Sequence, residues 1–135
     1  SGKIYYDLVE ERDKRELNDI FIMRIEQLYP FPRKALTVDL AKFKNAEFVW
    51  CQEEPRNMGA WFFIREHLEN VLEEINAKIN LFRYIGRPEA ASPATGSLRR
   101  HNMEQDNLVN EALSLPPKKP IRKTPSKKPA RKRRS

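Results

Sequence analysis

Apolar and polar positions along the chain separate it into short apolar runs and longer amphipathic stretches. Phe48-Val-Trp-Cys51 is a compact run of β-formers, the pattern of a strand covered on both faces. Gln52 to Met58 is polar and holds Pro55, so the pattern predicts a loop there. Beyond Gly59, apolar residues recur at Trp61, Ile64, Leu68, Val71 and Ile75. Steps of three and four place them on one stripe of a helix. Ile20-Phe-Ile-Met-Arg-Ile25 and Asn80-Leu-Phe-Arg-Tyr-Ile85 are two further β-prone runs, and each is expected to form a strand. Helices are expected from Ile4 to about Glu11, from Pro32 to Phe43 and from about Met103 to Leu113. Leu28-Tyr-Pro-Phe-Pro32 forces an extended turn ahead of the second of these. Asn102, with Gln105 three residues on, has the spacing of a capping box for the last. The resulting order, α-β-α-β-α-β-loop-α, predicts an α/β domain. Its sheet is mostly parallel, with right-handed crossovers and helices on both faces.

Charge changes the picture at one end. Ten of the 26 Lys and Arg lie in residues 116–135, which hold no acid. Residues 1–115 then carry 16 basic against 19 acidic residues, a net −3. Five of the ten prolines share that terminal stretch. Such a composition cannot build a core, so residues 116–135 are expected to be a disordered basic tail able to hold polyanions without specificity. The tail has no aromatic residue for base stacking. Residues 1–115 form the domain, and their charge gives no sign of a nucleic-acid surface. No apolar run approaches a membrane span and no signal-peptide pattern opens the chain, so no membrane partner is expected.

Candidate chemistry is sparse. There is no phosphate-binding glycine loop, and no Cys/His set has metal spacing. Cys51 lies in an expected strand, where a reduced structural thiol is the ordinary role. His67 sits at the edge of the helix stripe and reads as packing. The loop from Arg87 to Arg100 offers Arg87, Ser92, Thr95, Gly96, Arg99 and Arg100, with His101 beside it. These groups suit an anion such as a phosphate, so a stand-alone anion- or nucleotide-binding module is one reading, although a plain connecting loop explains them too. Gln52, Glu53, Glu54 and Asn57 follow the central strand, where α/β proteins often place ligands. None of these sets is a self-sufficient active site.

Two long motifs resemble one family. Gln52-Glu-Glu-Pro-Arg-Asn-Met-Gly-Ala-Trp61 resembles a signature of the E1 component of the 2-oxoglutarate dehydrogenase complex. Tyr84-Ile-Gly-Arg-Pro-Glu-Ala-Ala-Ser-Pro-Ala-Thr-Gly96 resembles its second C-terminal signature, followed by a His and a helix ending Leu-Val-Asn-Glu-Ala-Leu113. Ser1-Gly-Lys-Ile-Tyr-Tyr-Asp-Leu8 and Gln27-Leu-Tyr-Pro-Phe-Pro32 match as well, so the likeness covers residues 1 to about 113. It implies a transketolase-like C-terminal domain used in dimer contacts and regulation. In that family a short buried strand precedes the Ser-Gly-Lys turn and is absent from these residues. The basic tail is not a usual family feature. The full enzyme is implied to use thiamine diphosphate and Mg²⁺, held by its other domains. It decarboxylates 2-oxoglutarate in the tricarboxylic acid cycle and succinylates the lipoyl group of E2. This chain alone is implied to have no catalytic residue, cofactor or metal site. The implied partners are the remaining E1 domains, a second E1 subunit and the E2 succinyltransferase. The implied location is the bacterial cytoplasm, or the mitochondrial matrix in a eukaryote.

Overall fold

The computed structural model describes residues 2–114. The proposed basic tail lies outside the described residues. The elements are α1 (Ile4–Lys14), α2 (Arg33–Leu40), a 3₁₀ turn (Ala41–Phe43), β1 (Phe48–Pro55), α3 (Trp61–Glu74), β2 (Phe82–Arg87) and α4 (Leu98–Leu113). β1 and β2 form a two-stranded parallel sheet, with Phe48 opposite Phe82 and Cys51 opposite Ile85. The α/β class, the parallel pairing and the helices on both faces follow the expectation.

Alternation along β1 divides the core. Phe48 and Trp50 face α2 and α3, packing with Leu36, Leu40, Ile64 and Leu68. Val49 and Cys51 face α1 and α4, beside Ile4, Leu8, Leu108 and Leu113. The apolar stripe of α3 lands on the sheet as its spacing requires, with Trp61, Ile64, Leu68, Val71 and Ile75 all buried. Burial of one such side chain stabilises by roughly 1.5–3 kcal/mol, which makes α3 the heaviest single contributor to its layer.

Several expectations are corrected. Residues 20–25 form no strand, because no neighbouring strand lies beside them to complete a ladder. Their side chains are shared between the layers nevertheless: Ile20 and Ile22 pack with the α1–α4 layer, while Met23 and Ile25 pack with the α2–α3 layer. The Gln52–Glu54 stretch continues β1 instead of forming a loop. The third expected strand begins at Phe82 and runs on to Arg87. Asn102 is not a cap, since α4 begins a turn earlier, where the Ser97 side chain accepts from the Arg100 amide at 3.3 Å. The Tyr29–Pro30 bond in the expected extended turn is cis.

Candidate functional site

Parallel strands bring their carboxyl ends to one edge, and the loops that leave them meet there. The loop after β1 holds Arg56 to Ala60, and the loop after β2 holds Pro88 to Ser97. Asn57 fastens one to the other. Its side-chain amide donates to the Ala90 carbonyl at 2.9 Å and its Oδ1 accepts from the Ala90 amide at 3.1 Å. The Arg56 amide adds a bond to the Arg87 carbonyl at 3.0 Å.

Gln52 is the centre of this arrangement and is only 4% exposed. Its Oε1 accepts from Trp50 Nε1 at 2.9 Å. Its Nε2 donates to the Met58 carbonyl at 2.9 Å and to the Pro55 carbonyl at 3.1 Å. A buried polar side chain is tolerated because each of its groups is satisfied. Tyr84 Oη adds bonds to the Glu54 and Arg87 carbonyls at 3.3 and 3.2 Å. Burial pushes the Tyr84 phenol above its ordinary value, which keeps it neutral as a donor. The Arg56 guanidinium lies over the Tyr84 ring, 5.2 Å from its centre. Two glycines follow from this packing. Gly59 has φ of 68°, and a Cβ there would lie 3.2 Å from the Gln52 amide. At Gly86 a Cβ would meet Tyr84 Oη at 2.2 Å and the Gln52 carbonyl at 3.0 Å.

Glu53 turns to the other face of β1, where Gln105 Nε2 donates to Glu53 Oε1 at 2.9 Å and to Asp7 Oδ2 at 2.8 Å. Gln105 thus joins α4, β1 and α1 instead of closing a capping box. Glu54 is exposed and takes part through its carbonyl.

The anion-loop residues are only partly convergent. Arg87 is 8% exposed, and its Nη2 lies 2.9 Å from His101 Nδ1. Its Nε faces the Glu104 carboxylate at 3.5 Å without a hydrogen bond. Arg100 Nε donates to the other Glu104 oxygen at 2.8 Å. A protein carboxylate therefore already stands where Arg87 and Arg100 meet. Arg99 is exposed on α4. The Ser92 and Thr95 hydroxyls donate to the carbonyls of Ala94 and Ser97, within the loop. A Cβ at Gly96 would meet nothing within 4 Å, so no close backbone approach is built there.

Glu104 and Asp7 are the site residues missed from the sequence, while Tyr84 was visible within a signature and Gln105 was read as part of a cap. Of the two missed, only Glu104 carried a signal, its i,i+4 spacing from Arg100 on one helix face. Desolvation in the sheet pushes the Cys51 thiol up to about 12. His67 stacks on Phe31 and lies tilted against Phe63, with ring centres 4.9 and 5.4 Å away. Among the described residues, no group of three His, Cys, Asp or Glu converges as a metal site would.

The family model for the 2-oxoglutarate dehydrogenase C-terminal region matches residues 1–113. Among curated relatives, the 2-oxoglutarate dehydrogenase E1 components of Brucella anthropi and Brucella ovis are each 57% identical to the chain over 113 residues. That alignment takes in 84% of this chain and 11% of the relative. The chain therefore spans about a tenth of the length of these relatives, and the two signature motifs fall on the two fastened loops. The chain belongs to the 2-oxoglutarate dehydrogenase C-terminal family.

Proposed function

We propose that this chain acts as the structural and dimerisation module of a 2-oxoglutarate dehydrogenase E1, and that the fastened loops present its contact surface to the rest of that enzyme. The observation that carries the reading is the use made of the signature residues. Gln52, Asn57, Gly59 and Tyr84 all shape and lock the two loops, and none is left pointing at a vacant site with a reactive group. A rigid loop pair at the carboxyl edge of a sheet suits a surface that must hold one shape against a partner.

In this reading the whole enzyme decarboxylates 2-oxoglutarate with thiamine diphosphate and Mg²⁺ and passes a succinyl group to E2. The residues of this chain do not fit that cofactor. The carboxylates Asp7 and Glu53 are shared by Gln105, and Glu104 is taken by Arg87 and Arg100. Among the described residues, no oxygen-rich cage of the kind Mg²⁺ requires is left over. In this reading no step of the described residues runs through the cofactor. It orders the domain that the catalytic part leans on.

The test is physical association. A relative's E1 polypeptide, ended just before its Ser-Gly-Lys turn, is mixed with the tagged chain. The expected result is co-purification in equal amounts, with a light-scattering mass of two E1 polypeptides plus two copies of the chain. Recovery of the chain alone would contradict the reading.

A further inference from the structure

We propose that the amino-terminal half of α4, Leu98 to Asn107, is a latch worked by one proton on His101. Neutral His101 holds the latch shut on Arg87, and protonated His101 releases it. The consequence for partner contact rests on the function proposed above; the latch itself rests on geometry.

α4 is anchored unevenly. Its buried residues are Leu108, Val109 and Leu113, all in its second half. From Leu98 to Asn107 no residue is buried, and the apolar Leu98 and Met103 are exposed. The residues of this half that are partly withdrawn from solvent are His101, Glu104 and Gln105. Steps of three and four put them on one face of the helix. That face is polar, and none of these residues joins the apolar α1–α4 layer. Polar contacts therefore take the place of apolar burial in this half. Gln105 donates to Asp7 and Glu53. Arg87, at the end of β2, meets His101 Nδ1 at 2.9 Å through Nη2. Its Nε, which has no hydrogen bond, faces Glu104 at 3.5 Å.

The Arg87–His101 bond depends on protonation. A guanidinium has donors and no acceptor. His101 Nδ1 must therefore accept, and the neutral ring carries its proton on Nε2. Protonation at Nδ1 removes the acceptor and sets two cations against each other. It also changes the balance of charge. With His101 neutral, Arg87 and Arg100 share Glu104. With His101 charged, three cations compete for that one carboxylate. The other acids facing this half of α4 are engaged: Asp7 of α1 and Glu53 of β1 accept from Gln105, and Asp7 also pairs with Lys3 at 3.1 Å. Glu89, in the loop ahead, and Arg99 are exposed. Imidazole is the side chain whose charge changes between about pH 5 and pH 8. The latch is shut at the upper end of that range and opens as the pH falls through it. Opening frees the second signature loop at its α4 end, while Asn57 still holds it at Ala90. Acid then alters the surface offered to the rest of E1.

The experiment is NMR relaxation on the 135-residue chain, parent and His101→Asn, at about pH 8 and about pH 5. The substituted side chain offers an Oδ1 acceptor where Nδ1 branches from the ring carbon, and it does not titrate. In the parent, amide order parameters over residues 98–107 are expected to fall from about 0.85 at the higher pH to below about 0.6 at the lower. Those of residues 108–113 should stay high at both. The fall should follow the titration of the His101 ring, read from its own nitrogen shifts. His101→Asn should stay rigid throughout. A parent ring that titrates without loosening of residues 98–107 would overturn the proposal, whatever the variant does. So would equal acid loosening in His101→Asn, because a carboxylate would then be the titrating group. Loosening that spreads to residues 108–113 would overturn it as well, as acid unfolding of the whole domain. The chain is read by itself, so a working latch in a chain that does not join E1 would defeat the proposed function and leave the latch standing.

Discussion

Gln52 shows how one side chain can set a local structure. Replacing it by Ala leaves Trp50 Nε1 and the carbonyls of Pro55 and Met58 without their partner. A buried polar group left unsatisfied costs about 1–3 kcal/mol, so Gln52→Ala is expected to destabilise by about 3 kcal/mol or more. Chemical denaturation against the parent chain measures it, and a loss below about 1 kcal/mol would show that water replaces the amide. Gly59→Ala should lower the melting temperature too, by strain at positive φ and by crowding Gln52. Cys51 makes a prediction in pH. Its thiol is held up from 9.0 to about 12 by desolvation, so the folded state keeps the proton more tightly than the unfolded chain. The stabilisation is complete below pH 9 and is lost as the pH rises toward 12, at about 1.4 kcal/mol per pH unit. Between pH 8 and pH 10.5 the parent should lose about 2 kcal/mol more stability than Cys51→Ala. Equal losses would mean that the thiol reaches water.

At the level of elements, helices and strands were legible wherever periodicity alone decides them. The α3 stripe and the Phe48 run are such cases, because burial selects the same spacing that the sequence displays. What depends on a distant partner was not legible. Residues 20–25 carry strand residues and strand alternation, but a ladder needs a neighbour, and no local pattern reports one. The β1 boundary was missed for a related reason: Gln52 is polar yet buried, and its burial depends on carbonyls up to six residues away. The start of α4 was misjudged because an Asn-x-x-Gln spacing imitates a cap, whereas Ser97 performs that role and Gln105 ties three elements together. Of the candidate site, the signature residues and Arg87 were visible in sequence, but their use as fasteners was not. Glu104 tests the loop directly. Glu104→Gln removes the charge facing the buried Arg87 and should destabilise by about 3 kcal/mol, as breaking one partner of a buried pair does. If inorganic phosphate then restores the lost melting temperature, Arg87 and Arg100 can hold an external anion once the carboxylate is gone. An unchanged melting temperature without phosphate would show that the Arg87–Glu104 contact contributes little.

At the scale of the domain, the described residues form a two-layer core on a narrow sheet, and among them β1 pairs with β2 alone, with a locked loop pair at the carboxyl end. Small sheets with a bare edge are prone to pair with whatever strand they meet. The central proposal is that this chain contributes structure to an E1 enzyme. The most direct measurement is turnover of 2-oxoglutarate with an artificial electron acceptor in the presence of thiamine diphosphate and Mg²⁺. It is made on three samples: the chain alone, a relative's E1 ended before its Ser-Gly-Lys turn, and the two combined. The expected result is no turnover from either alone and cofactor-dependent turnover from the mixture, reduced when Gln52→Ala is used. A cofactor-dependent rate from the chain by itself, or an undiminished rate from the shortened E1 without it, would contradict the account.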